Sequence, residues 1–246
     1  MDRSGDEMNL QRFTEPFNYI VIDNFLDADL IDQLSGEFPS YDSDRWFSYE
    51  NPLEVKKTIN NWYDFPENTY QFFSSLNSSE FVSFIENITE VPTLYGDPGL
   101  HGAGWHIHGK GGKLNIHLDY TIHPKMNLKR KLNLILYMSK DWNPGWGGNL
   151  ELWSHDSAHH KPKEKVAAVD CVYNRAVIFD SSVNSWHGFA DPINCPDGIY
   201  RKSIAMYYLT DLDETVVDNR KRALYSPSKE QEGDEKVTEF IKSRAT

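Results

Sequence analysis

Two histidines and one aspartate are spaced in a way that predicts a metal site. His117 and Asp119 lie two residues apart in the strand-like run KLNIHLDY (113–120), and His187 follows in SSVNSWHGF (181–189). An imidazole and a carboxylate on one rigid strand supply half of a metal site, and a second strand can bring His187 alongside. Two histidines and one carboxylate then bind one side of an ion and leave the other side open. This facial arrangement suits Fe(II) oxygen chemistry.

The run around His117 alternates as a half-buried strand does, so its side chains divide between two faces. One face holds Leu114, Ile116 and Leu118, and the other holds Asn115, His117 and Asp119. A charge on such a strand is costly to bury unless it is paired or bound to metal. The alternative is a chance His-x-Asp match, since the chain has nine histidines.

Length and composition favour one globular domain of 246 residues. Hydrophobic residues make up 39% of the chain and aromatic residues 13%, which suffices for a packed core. Cys171 and Cys195 lack CxxC spacing and are predicted to be reduced and structural. No stretch has the apolar length of a signal peptide or a membrane span, so we expect a cytoplasmic protein.

The formal charge of −12 disfavours nucleic acid and anionic membrane surfaces as partners. This negative net charge favours a basic partner, or no macromolecular partner. The basic cluster at residues 220–222 (RKR) predicts a solvated surface turn. The oligomeric state is left open by the sequence.

The first hundred residues predict a short tail followed by a mostly helical support. Residues 1–16 form the tail, and residues 17–100 combine one strand, NYIVIDNF (18–25), with helices. A helix is predicted after Asp27, and two more over 67–76 and 80–88. The aromatic residues of these helices are interpreted as the face that packs on a sheet.

Residues 101–210 change to short alternating runs separated by glycine, proline and asparagine, which is typical of an antiparallel jelly roll. The predicted strands are 105–108, 114–120, 131–138, 149–153, 175–179, 186–189 and 202–209. The predicted fold class is therefore mainly β with flanking helices (α+β), a cupin-like core with the N-terminal helices packed on one sheet. Residues 211–246 form a charged extension ending in a helix over 234–243, which either caps the barrel or mediates an oligomer contact.

Five motifs, in this order along the chain, resemble the Fe(II)- and 2-oxoglutarate-dependent dioxygenases, specifically their prolyl-hydroxylase-like branch. The motifs are HLD (117–119), RKLNLILYMSKDW (130–142), WGGNLELW (146–153), SWHG (185–188) and YRKSIAMYYLT (200–210). The likeness extends over about residues 17–210. It implies a double-stranded β-helix with His117, Asp119 and His187 as iron ligands. It also implies 2-oxoglutarate on the metal, O₂ as oxidant and ascorbate as reductant, with no catalytic residue beyond the metal centre.

The same resemblance implies that Arg201 binds the distal carboxylate of 2-oxoglutarate and that Tyr137 donates a hydrogen bond to it. Strand alternation is consistent with this, since Arg201 shares a face with Ser203, and Tyr137 shares one with Ile135. Leu150 matches an apolar position that lines the cosubstrate pocket. The alternatives are a surface cation for Arg201 and a core tyrosine for Tyr137.

The remaining histidines are assigned to other roles. His106 and His108 form an HIH pair as in cupin metal sites, but the glutamate that cupins place a few residues later is absent. They are predicted to line the pocket. Those in predicted loops are expected to face solvent: His101, His123, His155, His159 and His160.

The reaction that the resemblance implies is hydroxylation of an unactivated C–H bond, with 2-oxoglutarate converted to succinate and CO₂. Asp119 favours hydroxylation, since related halogenases lack this carboxylate. The leading predicted substrate is a prolyl residue of a peptide or protein, and the alternative is a free amino acid or other small metabolite. Candidate substrate contacts are Arg130, His108, Trp153 and Trp186. Two readings from other classes are a cupin-type metal hydrolase or isomerase and a non-catalytic binding module.

Overall fold

The computed structural model describes residues 8–181, 184–212 and 220–245. Within these ranges the chain forms strands that all pair in antiparallel fashion, and α-helices. The strands are β1 (Asn9–Phe13), β2 (Tyr19–Asp23), β3 (Phe47–Asn51), β4 (Glu54–Ile59), β5 (Tyr95–Gly96), β6 (Gly104–His108), β7 (Lys113–Leu118), β8 (Lys129–Tyr137), β9 (Leu150–Asp156), β10 (Lys161–Val169), β11 (Ala176–Asp180), β12 (Trp186–Phe189), β13 (Arg201–Thr210) and β14 (Leu224–Tyr225). The helices are α1 (Ala28–Gly36), α2 (Glu67–Leu76), α3 (Ser79–Thr89) and α4 (Glu235–Ala245).

The strands form two halves that fold over one another. One half runs β1-β2-β11-β8-β13-β6, and β4 connects it to the other, β7-β12-β9-β10. Phe179 of β11 shares a buried cluster with Leu152 of β9 and Phe189 of β12. The two halves therefore enclose a core between them, as in a jelly roll. The predicted double-stranded β-helix is confirmed.

The helices cover the outer face of the first half. On β8, Leu134 and Leu136 point outward and share a buried cluster with Leu34 of α1, Phe73 of α2 and Ile85 of α3. Burial of these apolar side chains stabilises the layer, at about 1.5 to 3 kcal/mol for each large side chain. The predicted packing of the N-terminal helices on one sheet is confirmed.

Several strands were not predicted from the sequence. The tail predicted at residues 1–16 contains β1, which pairs with β2, while residues 1–7 lie outside the described ranges. The β3–β4 hairpin and β10 are also additional, and they do not alternate cleanly between apolar and polar residues. No helix in the described ranges is long and apolar enough to cross a membrane.

The C-terminal extension pairs with β7 and closes this side of the barrel, so it caps the barrel. β14 pairs with β7, and Asn115 donates its side-chain N–H to the Ser226 carbonyl (3.1 Å) and to Gln231 Oε1 (2.7 Å). Val237 of α4 is buried against Leu53 and Tyr225. Residues 213–219 and 246 of this extension lie outside the described ranges.

A buried ion-pair network anchors α4. Glu54 is 1% exposed and accepts a hydrogen bond from Arg244 Nη1 (2.6 Å), and its Oε2 lies 3.1 Å from Lys56 Nζ. The Tyr225 hydroxyl also donates to this carboxylate (3.3 Å). Burial alone would raise the pKa of Glu54, but Lys56 and Arg244 outweigh burial and lower this pKa from 4.5 to about 2.

Replacing Glu54 with glutamine is expected to destabilise the protein by roughly 3 kcal/mol at pH 7. Because the pKa of Glu54 is lower in the folded state, its contribution is complete above about pH 4.5 and is lost as the pH falls towards about 2. Urea unfolding of the wild type and of Glu54→Gln at pH 7 and pH 3 measures this contribution. The difference between their free energies of unfolding should be smaller at pH 3. Glu50→Gln, on the exposed part of the same hairpin, is the matched control. An equal difference at both pH values would contradict this account.

Candidate metal centre

His117, Asp119 and His187 come together in the folded chain with their ligand atoms within 4.8 Å of one another. His117 Nε2 lies 3.5 Å from Asp119 Oδ1, and His187 Nε2 lies 3.5 Å from Asp119 Oδ2. His117 and His187 are buried, and the carboxylate side chain is 9% exposed. Among the described residues this is the only cluster that could hold a metal ion through three such ligands.

Paired strands position the two histidines. β7 and β12 are neighbours, and His117 is directly opposite His187. Gly188, the next residue of β12, faces both Asn115 and Ile116, which makes a β-bulge. A Cβ atom on Gly188 would lie 2.7 Å from the Leu114 carbonyl oxygen, so the bulge requires glycine here.

The bulge changes which side chains of β7 share a face. The expectation that Asn115 lies beside His117 is wrong, because the extra residue reverses the alternation. Leu114 lines the metal cavity instead, and Asn115 points to the C-terminal extension. Asp119 follows the last residue of β7 and still reaches the site.

Backbone carbonyls orient both imidazole rings. His117 Nδ1 is 2.9 Å from the Asn115 carbonyl oxygen, and His187 Nδ1 is 2.8 Å from that of Ser185. Since a carbonyl only accepts, each Nδ1 carries the hydrogen and each Nε2 presents a lone pair to the centre. Burial lowers the pKa of His187 to about 4, so this ring is neutral at pH 7. The donor set is therefore ready for a divalent cation without loss of a proton from His187.

Arg130 pairs with the carboxylate of this cluster. Its Nη2 lies 2.9 Å from Asp119 Oδ2, and its guanidinium carbon lies 3.3 Å from the Tyr207 ring centroid and 4.6 Å from that of Tyr120. Burial would raise the pKa of Asp119, but Arg130, with His187 and His117, holds it well below its ordinary value. Asp119 is therefore ionised at any physiological pH.

Arg130 was predicted to contact the substrate, and the structure surrounds it with groups of the protein. The side chain is 2% exposed and its charge is matched by Asp119. A register shift between β8 and β13 leaves Lys131 as an extra residue, and this brings Arg130 to the cavity face. A role in holding the Asp119 carboxylate fits this geometry better than direct substrate contact.

The triad opens into a cavity of about 640 Å³ between the two halves of the barrel. The predicted cosubstrate residues Ile135, Leu150 and Ser203 line it, as do His106 and His108. His108 is 2% exposed, and neither ring nitrogen has a hydrogen-bond partner among the described residues. Unpaired buried polar atoms of this kind mark a place where a ligand or water completes the hydrogen bonding.

Arg201 lies in the same cavity, 4% exposed, opposite His108 in the β6–β13 pair. Its Nε donates to the Gly148 carbonyl (2.7 Å) and lies 3.1 Å from Cys171 Sγ. No carboxylate among the described residues pairs with this guanidinium. A buried cation without a counter-charge is costly, which indicates that an anion completes the site. A Cβ atom on Gly148 would lie 2.9 Å from Arg201 Cδ, so glycine makes room for the arginine stem.

Tyr137 lies beside this arginine. The Arg201 guanidinium carbon is 5.1 Å from its ring centroid, and its buried hydroxyl has no hydrogen-bond partner among the described residues. Burial raises the pKa of this hydroxyl well above its ordinary value, so it stays protonated. Arg201 and Tyr137 therefore offer a cation and a hydroxyl donor at one end of the cavity.

Other predicted positions lie elsewhere. Trp153 and Trp186 face each other on β9 and β12, on the opposite side of the sheet from His187. Trp186 is 2% exposed, packs on Ile116 and Leu118, and does not line the metal cavity. The prediction that these tryptophans flank its opening is wrong, because neighbouring residues of a strand point to opposite faces.

Two of the histidines expected in solvent are also placed differently. His123 is 2% exposed with its Nε2 3.5 Å from Asp97 Oδ2, and His101 lines the metal cavity. Both belong to loops that fold inward, and nothing in the local sequence separates them from solvent-facing loop residues.

Several cavity residues were missed because they are distant in sequence from the motifs. Tyr225 stacks on the His117 ring with centroids 5.1 Å apart, and Phe47 and Tyr49 of the β3–β4 hairpin lie at the rim. Lys56 and Arg244 complete this side. Two features of the sequence point to this wall of the cavity. They are the polar residues of the β3–β4 hairpin and the RKR cluster at 220–222.

Comparison with known proteins agrees with this architecture. Residues 103–209 match the model of the 2OG-Fe(II) oxygenase superfamily. No curated protein sequence matches the chain. A prolyl-4-hydroxylase from Pseudomonas putida is similar in structure, with a TM-score of 0.58, 17% identity, and coverage of 79% of this chain and 93% of that chain.

Two further structures share the fold. A prolyl hydroxylase from Trichoplax adhaerens, in complex with a hypoxia inducible factor oxygen degradation domain peptide fragment, has a TM-score of 0.52 and 16% identity, covering 78% of this chain and 83% of that chain. HygX from Streptomyces hygroscopicus, with nickel, 2-oxoglutarate and hygromycin B bound, has a TM-score of 0.50 and 9% identity, covering 82% and 85%.

The superfamily uses Fe(II), 2-oxoglutarate and O₂, and the His-Asp-His cluster lies within residues 103–209. The neutral His187 imidazole, the ionised carboxylate and the unpaired cavity arginine suit an iron ion and an anionic cosubstrate. Residues 103–209 therefore match the 2OG-Fe(II) oxygenase superfamily, and the chain shares its fold with prolyl hydroxylases.

Proposed function

We propose that the protein hydroxylates a prolyl residue of a peptide or protein and releases succinate and CO₂. His117, Asp119 and His187 would hold the Fe(II), and Arg201 with Tyr137 would bind the distal carboxylate of 2-oxoglutarate. The observation that carries this proposal is that an ionised facial triad and an unpaired buried arginine open into one cavity. A metal hydrolase would use the metal ligands but would require no 2-oxoglutarate.

Bound Fe(II) and O₂ supply the oxidising chemistry, and the protein supplies orientation and shielding. Arg130 keeps Asp119 ionised and fixed in place. Ile135 and Leu150 form an apolar wall that excludes water. Arg201, beside Tyr137, would orient the cosubstrate through its distal carboxylate. No side chain is required to act as an acid or a base.

The open side of the cavity favours a polymeric substrate. Phe47 and Tyr49 form an aromatic rim, with ring centroids 4.9 Å apart, and Phe47 is 63% exposed. Exposed aromatic rings at a pocket mouth suit an extended peptide with a proline ring. The likeness in fold to prolyl hydroxylases supports this choice, and a fold alone leaves the substrate as a proposal.

A small-molecule substrate is the second candidate. The C-terminal extension closes one side of the cavity, and the structure of HygX shows the same fold with hygromycin B bound. A free amino acid or other small metabolite would fit a cavity of about 640 Å³ together with the cosubstrate.

Succinate release tests the proposal directly. Purified protein with Fe(II), ascorbate and 2-oxoglutarate under air is expected to release succinate faster when proline-containing peptides are added. Mass spectrometry of the peptide should show the gain of one oxygen atom on proline, and a peptide with alanine in place of proline is the control. If no peptide stimulates succinate release but a small metabolite does, the second candidate replaces the first.

A further inference from the structure

The metal cavity has a charge opposite in sign to that of the whole protein. Its lining includes two carboxylates, Glu54 and Asp119, and a larger number of permanent cations, whereas the chain as a whole carries −12. The lining cations are Lys56, Arg130, Arg201, Lys221, Arg222 and Arg244. Among the described residues of the lining, six cations stand against two carboxylates, which is an excess of four positive charges.

The iron and the cosubstrate do not change this excess. Arg130 is matched by Asp119, and Glu54 lies between Lys56 and Arg244. The two positive charges of Fe(II) and the two negative charges of 2-oxoglutarate cancel when both are bound. A positive field therefore remains for the second substrate, and a low-dielectric cleft concentrates such a field.

The unmatched cations are located next to the metal centre. Lys221 and Arg222 are exposed and have no ion-pair partner among the described residues. They precede β14, whose Tyr225 is paired with His117 and stacks on its ring. Three residues of extended chain separate Arg222 from Tyr225 by about 10 Å. An anionic group held by these cations would thus lie a few residues of peptide away from the metal centre.

Lys56 faces the same space from the other wall. It lies on β4, with its side chain 15% exposed and its Nζ 5.0 Å from the Tyr49 ring centroid at the rim. Glu54 is shared with Arg244, so it compensates only part of the charge of these two residues. The extension and the hairpin therefore present cations from two sides, and both lie outside the family-matched residues 103–209.

We propose that the prime substrate is anionic and carries carboxylates that Lys56, Lys221 and Arg222 recognise. For the prolyl substrate proposed above, on which this inference rests, the acidic residues would lie within about three positions of the proline. This reverses the expectation of a basic partner that the net charge suggests. The interpretation of residues 220–222 as a solvated turn holds for the exposure of Lys221 and Arg222 but misses the position of these two residues at the cavity.

Binding of charged peptides to the loaded protein tests the inference without turnover. Fluorescence anisotropy under anaerobic conditions, with Fe(II) and saturating 2-oxoglutarate, compares two labelled peptides of equal length. One has glutamates around a central proline and the other has lysines. The acidic peptide is expected to bind at least about tenfold more tightly, and raising the salt from about 0.05 to 0.5 M should reduce this difference.

Variants with matched changes in charge locate the effect. Lys221→Gln/Arg222→Gln is expected to weaken binding of the acidic peptide by about 2- to 30-fold, as for two exposed ion pairs. Lys161→Gln/Lys163→Gln removes two exposed cations from β10 and should leave the affinity unchanged. Arg222→Lys keeps the charge and should retain most of the affinity. Equal affinity for both peptides, or equal losses in the two double variants, would overturn the inference.

Two further readouts separate this inference from the prolyl-hydroxylase proposal. If the acidic peptide binds through these cations but its proline gains no oxygen, the anionic substrate stands and the prolyl assignment fails. N-acetylglutamate, added as a competitor, represents a small carboxylate as the source of the charge. Suppose that N-acetylglutamate binds to the wild type but not to Lys221→Gln/Arg222→Gln, and that the peptides do not bind. The same cations would then recognise a small-molecule acid. Binding of neither probe would reject an anionic substrate.

Discussion

Replacing Asp119 with alanine is expected to abolish turnover of 2-oxoglutarate and also to destabilise the metal-free protein by about 3 to 5 kcal/mol. Asp119 supplies one of three ligand atoms and also the counter-charge for Arg130, which is 2% exposed. Its removal leaves that guanidinium buried and unpaired. Turnover should fall by more than about 100-fold, since even changes outside the ligand set cost about 10- to 100-fold.

A double variant separates the two losses. Asp119→Ala/Arg130→Met removes the stranded charge together with its partner, so most of the stability should return while turnover stays absent. His187→Ala, which keeps the Asp119–Arg130 pair, should lose turnover with a smaller loss of stability. Urea unfolding in the presence of a chelator measures stability, and succinate release measures turnover. Wild-type turnover by Asp119→Ala or by His187→Ala would remove these residues from the metal site.

Strand alternation made much of the site predictable from the sequence. On β8, Leu134 and Leu136 point to the helices, whereas Ile135 and Tyr137 point between the two halves of the barrel. This follows from local geometry, since successive side chains of a strand point to opposite faces whatever the partner strand is. The same rule applied to His187 would have placed Trp186 on the outer face.

Bulges set the limit of that reasoning. The position of Asn115 depends on how β7 meets Gly188 of β12, and that of Arg130 depends on how β8 meets β13. A bulge is a relation between two strands, so the sequence of one strand does not reveal it. The error at Asn115 has this origin.

Contacts between distant segments were the other part that could not be predicted. Tyr225 reaches the Glu54 carboxylate across 171 positions of sequence, and Arg244 reaches the same group across 190. Charged residues in an extension are usually solvated, and only the pairing of β14 with β7 shows that these belong to the cavity. The extension therefore connects stability, through Glu54, with the proposed recognition of substrate.

Replacing Arg201 with alanine is expected to raise the KM and the Kd for 2-oxoglutarate by about 100- to 1000-fold. The Nε of Arg201 is already held by the Gly148 carbonyl at 2.7 Å, so the terminal nitrogens are left to form a forked pair with a carboxylate. Two charge-assisted hydrogen bonds contribute about 1.5 to 3 kcal/mol each, and about 1.4 kcal/mol corresponds to a tenfold change in affinity. Arg201→Lys keeps the charge but not the fork and should show an intermediate loss.

The effect of Arg201→Ala on stability should be opposite to that of Asp119→Ala. No described carboxylate pairs with Arg201, so its removal leaves no stranded charge and relieves the cost of burying one. Without 2-oxoglutarate the variant should unfold at the same urea concentration as the wild type or at a higher one, and addition of 2-oxoglutarate should stabilise only the wild type. Lys202→Ala is the matched control, since Lys202 faces away from the cavity towards Phe38. Equal stabilisation of Arg201→Ala and wild type by 2-oxoglutarate would place the cosubstrate carboxylate elsewhere. A stability cost as large as that of Asp119→Ala would mean that Arg201 is held by the fold and not kept for a ligand.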